Sequence, residues 1–399
     1  MKRILRSMLE PARTARRYLR LPAAARAAQR RDRAGLPHGD PGIERAVREA
    51  VAWLGRAQDN SASHDGGLAR HYSLVSGWSA SYPETTGYAV PTLLSYARSH
   101  GDEEARTRAL RMLDWLVSIQ LPGGGFQGGV VGARPVVPVT FNTGQILLGL
   151  AAGAAESGGA YLEAMRRAAD WLVETQDADG CWRKHPTPFA EPGEKVYETH
   201  VAWGLFEAAR VEPRSSYAEG ALRNVRWALT HQRPNGWFAD CCLSDPSQPL
   251  THTLGYALRG VLEAYRFTED ATLLDACRLT ADGLLTALGE DGFLPGRLDE
   301  NWRGTVGWAC LTGSVQIAYC WLALYRATGE ARYRDAALAA NRYVRRAVSV
   351  EGPPETRGGV KGSFPAGGGY CTYEYPNWAA KFFIDSNLLE QSVREGREG

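Results

Sequence analysis

Six short segments of the sequence each gather acids, bases or aromatic rings beside a residue that can open a helix. The first, SYPETTGY, offers Tyr82, Glu84 and Tyr88. The second, FNTGQ, offers Asn142 and Gln145. KVYETHVAWG follows with Lys195, Tyr197, Glu198 and His200, and THTLGY with His252 and Tyr256. ENWRGTVGWACLTGSVQ brings Trp302, Arg303 and Gln316, and GGGYCTYEYPNWAAKFF brings Tyr370, Tyr373, Glu374, Tyr375, Trp378 and Lys381. Any one of these has a structural explanation as a helix cap or a core ring. Burying Glu84, Glu198, His200, His252, Arg303 and Lys381 around one cavity is costly unless they serve a ligand.

Flat apolar rings beside carboxylates, amides and cations suit a sugar, which offers faces to stack on and hydroxyls to bind. Two reactions fit the residue types. Removal of the proton alpha to a uronate carboxylate, as in a lyase or C5-epimerase, needs a cation or amide at the carboxylate and groups that carry protons. Arg303, Asn142 or Lys381 would neutralise the carboxylate. His200, His252, Tyr82 or Tyr373 would move protons. Hydrolysis needs two carboxyl groups, for which Glu84 and Glu198 are the pair and Glu374 a third candidate. The abundance of Tyr and His, with few Asp at helix starts, favours proton abstraction. Tyr197, Trp302, Tyr370, Tyr375 and Trp378 are the expected sugar-contacting rings.

The elements that must hold these residues are written in a repeat. A Trp, four residues, a Gln and a Gly-rich turn recur as Trp53 to Gln58, Trp115 to Gln120, Trp171 to Gln176 and Trp227 to Gln232, about 56 to 62 residues apart. That period accommodates two helices and two loops. The helix ending at each Gln carries one charged face and belongs outside. The helix opened by each chemical segment is apolar nearly all round and belongs inside. The expectation is an all-α (α/α)6 toroid with inner helices beginning near Glu84, Asn142, Glu198, Thr251, Thr312 and Pro376.

The Q-x-x-D-G-x-W string at Gln176 to Trp182 resembles the repeat of squalene-cyclase and prenyltransferase toroids. YPETTGY and GSFPAGGGYCTYEYPNWAAKFFID resemble the (α/α)6 proteins found with bacterial exopolysaccharide-assembly genes. That resemblance implies a carbohydrate-active enzyme of polysaccharide assembly or modification, with an oligo- or polysaccharide as partner, free or lipid-linked. It transfers no catalytic residue. A terpene-cyclase-like activity is disfavoured because no D-x-D-D acid string is present; a non-catalytic glycan-binding scaffold is the remaining alternative.

Residues 40–399 read as one toroid domain and 1–39 as a basic N-terminal arm. The first 34 residues hold eleven Lys or Arg against Glu10 and Asp32, and the rest of the chain is acidic by about seven charges, which argues against nucleic acid as a partner. Wound as a helix, Ile4, Leu5, Met8, Leu9, Ala12, Ala15 and Leu19 share one arc, while Lys2, Arg3, Arg6, Arg13, Arg17 and Arg20 share the other. An anionic membrane surface is the partner such a pattern fits. Arg6 interrupts any secretory apolar run, and no stretch of about 18 apolar residues exists to span a bilayer, so the expected location is cytoplasmic, at the inner membrane face if the arm binds there. The seven cysteines are odd in number, scattered and without C-x-x-C spacing, as expected of small core residues in a reducing compartment. Cys241 and Cys242, near Asp240 and Asp245, are adjacent and poorly placed to converge on a metal ion. With no P-loop, dinucleotide fingerprint or zinc motif, neither a metal nor another cofactor is expected.

Overall fold

The protein, a computed structural model, is described at residues 18, 20–157, 159–188 and 190–397. Among these residues thirteen α-helices occur in chain order: α1 (Ala23–Arg33), α2 (Ile43–Asp59), α3 (Pro83–His100), α4 (Glu103–Ser118), α5 (Thr140–Ser157), α6 (Gly159–Thr175), α7 (Thr199–Val211), α8 (Ser215–Leu229), α9 (Thr251–Thr268), α10 (Ala271–Thr286), α11 (Leu311–Thr328), α12 (Ala331–Ala347) and α13 (Asn377–Arg394). From α2 onward they alternate outer and inner. The inner members are α3, α5, α7, α9, α11 and α13, and their starts coincide with the six chemical segments.

Hydrophobic patterning explains the alternation. In α5 every residue from Thr140 to Leu150 is buried, whereas in α4 only one face is, through Ala105, Ala109, Met112, Leu113, Trp115 and Leu116. An all-round apolar helix is stable only when surrounded. The inner helices approach closely through glycine: a Cβ on Gly144 would meet Val201 side-chain atoms at 2.5 Å, and one on Gly149 would meet the Gly87 carbonyl oxygen at 2.3 Å. The ring is closed by Thr92 of α3, which donates to Asp385 Oδ1 of α13 at 2.6 Å.

The glutamine of each repeat ties the outer wall. Gln120 Nε2 donates to Gly124 O of its own turn at 2.8 Å and to Ala164 O of α6 at 2.9 Å. Gln176 repeats this with Gly180 O at 3.0 Å and Gly220 O of α8 at 2.9 Å. Each Gln thus satisfies carbonyls on two elements, a registering role for a polar side chain at a helix end.

Short strands finish the upper mouth, where the inner helices begin. Strand β1 (His71–Ser73) pairs antiparallel with both β2 (Gly77–Trp78) and β5 (Glu374–Pro376), and β3 (Ala309–Cys310) pairs with β4 (Ser363–Phe364). The β1–β5 pairing joins the loop ahead of α3 to the loop ahead of α13, the two ends of the ring.

Residues 23–33 form α1, whose Ala25 and Ala28 are buried against the toroid. Asp32 anchors it, accepting from Lys361 Nζ at 2.5 Å and from the Ala366 amide at 2.7 Å. The amphipathic pattern at residues 2–20 lies outside the described residues except for Tyr18 and Arg20. No described helix is long and apolar enough to cross a membrane. The seven cysteines are unpaired, and no His, Cys, Asp and Glu cluster fit for a metal occurs among the described residues.

Candidate active site

The first turns of α3, α5, α9 and α13, with the short turn leading into α7, border a cavity of about 320 Å³ at the upper mouth. Tyr82, Glu84, Tyr197, His252, Tyr370 and Trp378 border it, joined by Arg70, Tyr88, Phe141 and Tyr256. Tyr370 and Trp378 form one wall, locked by a hydrogen bond from Trp378 Nε1 to Tyr370 Oη at 2.9 Å.

Glu84 is half-buried on the cavity wall. Burial raises its carboxyl to about 7, against the opposing pull of Arg70 and a hydrogen bond from Tyr82. Tyr82 also takes a hydrogen bond from Asn142, so an amide, a phenol and a carboxyl run in sequence along one side. Burial pushes the Tyr82, Tyr197, Tyr256 and Tyr370 phenols well above their ordinary value, foremost through desolvation, so all four stay protonated.

His252 supplies the opposite character. Its Nδ1 lies 2.7 Å from Gln316 Oε1. With the amide so assigned, its oxygen can only accept, so Nδ1 carries the proton and Nε2 the lone pair. Burial lowers the imidazole to about 4, with Gln316 opposing. The ring is therefore a neutral base. His200 is built in the same way, with Nδ1 2.6 Å from Gln145 Oε1, but is fully buried in the cavity floor. Its ring packs on Tyr256 and Trp203 at centroid distances of 4.4 and 5.0 Å. Desolvation first, then the charges of Lys381 and Arg259, holds it far below the ordinary histidine value.

Thr85 Oγ1 and Tyr197 Oη on the cavity wall lack protein partners, as do Asn142 Oδ1, Gln145 Nε2, Gln316 Nε2 and His200 Nε2 behind it. Unsatisfied groups at such density cost free energy that a polar occupant of the cavity would recover.

Six of the expected residues meet here, Tyr82, Glu84, Tyr197, His252, Tyr370 and Trp378, with Asn142 buried behind Tyr82. The others go elsewhere for local reasons. Glu198 ends a 3-10 turn (Val196–Glu198) and borders a neighbouring cleft with Lys195 and Arg183, while Tyr197, one residue earlier, faces the cavity. Its carboxyl is 2% exposed and raised by burial to about 8, with Lys195 opposing. Tyr373 has φ 61°, its amide donates to Ala366 O at 2.7 Å, and its carbonyl accepts from Leu74; that tight turn carries the side chain away. Tyr375 lies in β5 and packs on Tyr72, with ring centroids 6.5 Å apart. Trp302 packs edge-on to Trp237 in the outer wall and donates to Asn235 O. Arg303 is exposed on that same loop. Lys381 points toward the other end of the ring.

Arg70 is the cavity residue that sequence reasoning missed. Its guanidinium carbon lies 5.2 Å from the Trp378 ring centroid and 5.7 Å from that of Tyr82. Its backbone accepts from the Asn377 amide at 3.1 Å, fixing it at the closing seam of the ring. The only signal available was its position twelve residues ahead of Tyr82, in a loop with no period.

Residues 93–262, under half of the chain, match the family model described as the squalene-hopene cyclase C-terminal domain. A comparison with curated proteins gives no match. Among solved structures the chain is similar to an unsaturated glucuronyl hydrolase specific for heparin, with TM-score 0.71, 16% identity, and coverage of 90% of this chain and 99% of that one. It is similar to the unsaturated glucuronyl hydrolase of Bacillus sp. GL1, described as responsible for the degradation of glycosaminoglycan, with TM-score 0.68, 15% identity, and coverage of 89% and 97%. It is also similar to the cellobiose 2-epimerase of Bacillus thermoamylovorans, with TM-score 0.68, 11% identity, and coverage of 88% and 98%. At these identities the shared property is the fold, an α/α toroid spanning nearly the whole of each chain.

Proposed function

We propose that the protein is a carbohydrate-active enzyme of polysaccharide assembly or modification that removes the C5 proton of a uronic-acid residue, as a C5-epimerase or a lyase. The observation that carries this reading is the pairing, in one aromatic cavity, of a neutral His252 base with the Arg70 cation and a Glu84 carboxyl that holds a proton near neutral pH. His252 Nε2 takes the C5 proton. The bond's electron pair moves into the carboxylate, whose oxygens then carry an extra charge that Arg70 offsets. Protonated Glu84, backed by Tyr82 and Asn142, returns a proton. Delivered to C5 it inverts the centre; delivered to the O4 leaving oxygen as C4–O4 breaks, it completes elimination to a 4,5-unsaturated sugar. Tyr370, Trp378 and Tyr197 give the ring its stacking and hydroxyl contacts.

Among the similar structures, one is named a cellobiose 2-epimerase and others unsaturated glucuronyl hydrolases; an epimerisation and a uronic-sugar substrate on this fold support the reading. A second reading, hydrolysis, is supported by the same Glu84 proton, which a glycosidic acid also needs. It lacks a partner in the cavity, because Glu198 borders a different cleft.

Reaction in labelled water separates the two. Uronate-containing oligosaccharides incubated with the enzyme in deuterated, oxygen-18-enriched water should gain deuterium at C5 or form an unsaturated product. Solvent oxygen in the product without either change selects hydrolysis.

A further inference from the structure

Beneath the floor made by Tyr88, His200, Tyr256 and Phe382 lies a second chamber, of about 510 Å³, reaching the opposite mouth where the inner helices end. Arg259 of α9 and Lys381 of α13 border it, although they are only 7% and 1% exposed. Arg259 is held between two rings, with its guanidinium carbon 4.1 Å from the Trp203 centroid and 3.8 Å from that of Tyr319. Its Nε donates to Glu263 Oε1 at 2.7 Å. Both faces and one nitrogen are thus used, which leaves the Nη edge as the part that can meet a ligand. That edge fits a carboxylate or phosphate.

The Arg259 guanidinium is only partly satisfied. Glu263 is shared by Arg259 and by Arg266, 3.1 Å away. Lys381 Nζ pairs with Asp385 Oδ2 at 2.7 Å, and Asp385 also accepts from Thr92. Arg210 is matched by Glu207. Arg266 is exposed, so the buried charges among the described residues of this cluster are Arg259 and Lys381 against Glu263 and Asp385; because Glu263 is divided between two guanidiniums, the Arg259 Nη edge has no carboxylate of its own. A buried guanidinium whose outer edge lacks an acceptor is unfavourable, and an anion in the chamber would satisfy that edge. The remaining lining includes the hydroxyls of Thr92, Ser95, Ser99 and Tyr319.

From this geometry we infer that the lower chamber is a second ligand site, independent of the upper cavity, for a small anionic polyol: a sugar bearing a carboxylate or phosphate group, with the anion at the Arg259 edge and the hydroxyls along α3. Calorimetric titration of the whole protein with glucose 6-phosphate, glucuronate, inorganic phosphate and neutral glucose tests it. Ser95→Trp fills the chamber from its exposed rim and leaves the buried charges intact; Arg259→Gln removes the guanidinium edge. The expected result is saturable binding of glucose 6-phosphate or glucuronate, stronger than that of inorganic phosphate and absent for glucose. It should weaken tenfold or more in both variants and persist in His252→Ala. The two sugar anions decide whether phosphate or carboxylate is preferred. No saturable binding of either sugar anion overturns the inference, as does binding that survives Ser95→Trp, binding lost in His252→Ala, or phosphate alone binding as tightly as its sugar ester.

Discussion

His252 and Glu84 have opposite environments for opposite tasks. Burial keeps the imidazole unprotonated down to about pH 4 and keeps the Glu84 proton on up to about pH 7. Turnover should therefore show a bell with limbs near those two values, and Glu84→Gln should remove the alkaline limb together with most of the rate; a rate that keeps rising above pH 8 contradicts the assignment. His252→Ala should cost about a hundredfold or more in kcat, the usual scale for losing a positioned base, with little change in melting temperature because the ring already borders a cavity. His200→Ala should behave differently. That ring is packed on every side, so its loss should cost about 1–3 kcal/mol of stability in a denaturant titration. Glu198 gives a third signature. Its carboxyl, normally near 4.5, is held protonated by the fold up to about 8. The folded state thus binds more protons between those values, and its contribution is complete below pH 4.5 and lost as pH rises toward 8. Glu198→Gln should flatten the fall of melting temperature between pH 5 and 9. Much of this scale was legible in the sequence, since Glu84, His252, Tyr82 and Tyr197 were identifiable from their places before or within inner helices. Arg70 was not, because a loop side chain aimed across a ring seam leaves no periodic trace. Tyr373 and Tyr375 misled for a related reason: a left-handed turn and a two-residue strand alternation, neither visible in composition, send neighbouring tyrosines in different directions.

The inner helices owe their spacing to backbone details. Pro91 sits inside α3 and has no N–H, so the Gly87 carbonyl lacks its helical donor. Gly149 of α5 lies against that carbonyl, and a Cβ there would come within 2.3 Å of the oxygen. Gly149→Ala must therefore push the two helices apart, at about 1–3 kcal/mol or more, with the upper cavity distorted as a consequence. Gly220, in the outer helix α8, is the control: its added methyl meets nothing closer than 3.5 Å, so Gly220→Ala should be neutral or stabilising by up to about 1 kcal/mol. Thermal melts of the two variants check both expectations. The order and limits of these helices could be read from apolar periodicity and from the Trp–Gln phrase, whose glutamines prove to bridge each turn to the next outer helix. The glycine seams could not, because a glycine in a helix looks the same in sequence whether a neighbouring backbone presses on it or not.

Closure of the ring gives the molecule two mouths with different chemistry. The upper one gathers acids, phenols and a neutral base at helix starts; the lower one is bordered by the buried Arg259 and Lys381. We propose that the basic segment at residues 2–20, which precedes α1 in sequence, binds an anionic membrane surface; Asp32 fastens α1 itself to the toroid. An anionic surface attracts each nearby Lys or Arg by about 1 kcal/mol, less at high salt. Removing residues 1–20 while keeping α1 should then abolish sedimentation with anionic liposomes and leave the melting temperature unchanged; equal sedimentation of both forms contradicts that proposal. The central claim concerns the upper mouth, and the most direct measurement follows the C5 proton itself. With a uronate-containing oligosaccharide in deuterated water, proton NMR should show the C5 signal disappearing with the wild-type enzyme and at least about a hundredfold more slowly with His252→Ala. A C5 signal that persists while the glycosidic bond is cut, or one that disappears equally fast with both proteins, would contradict the account.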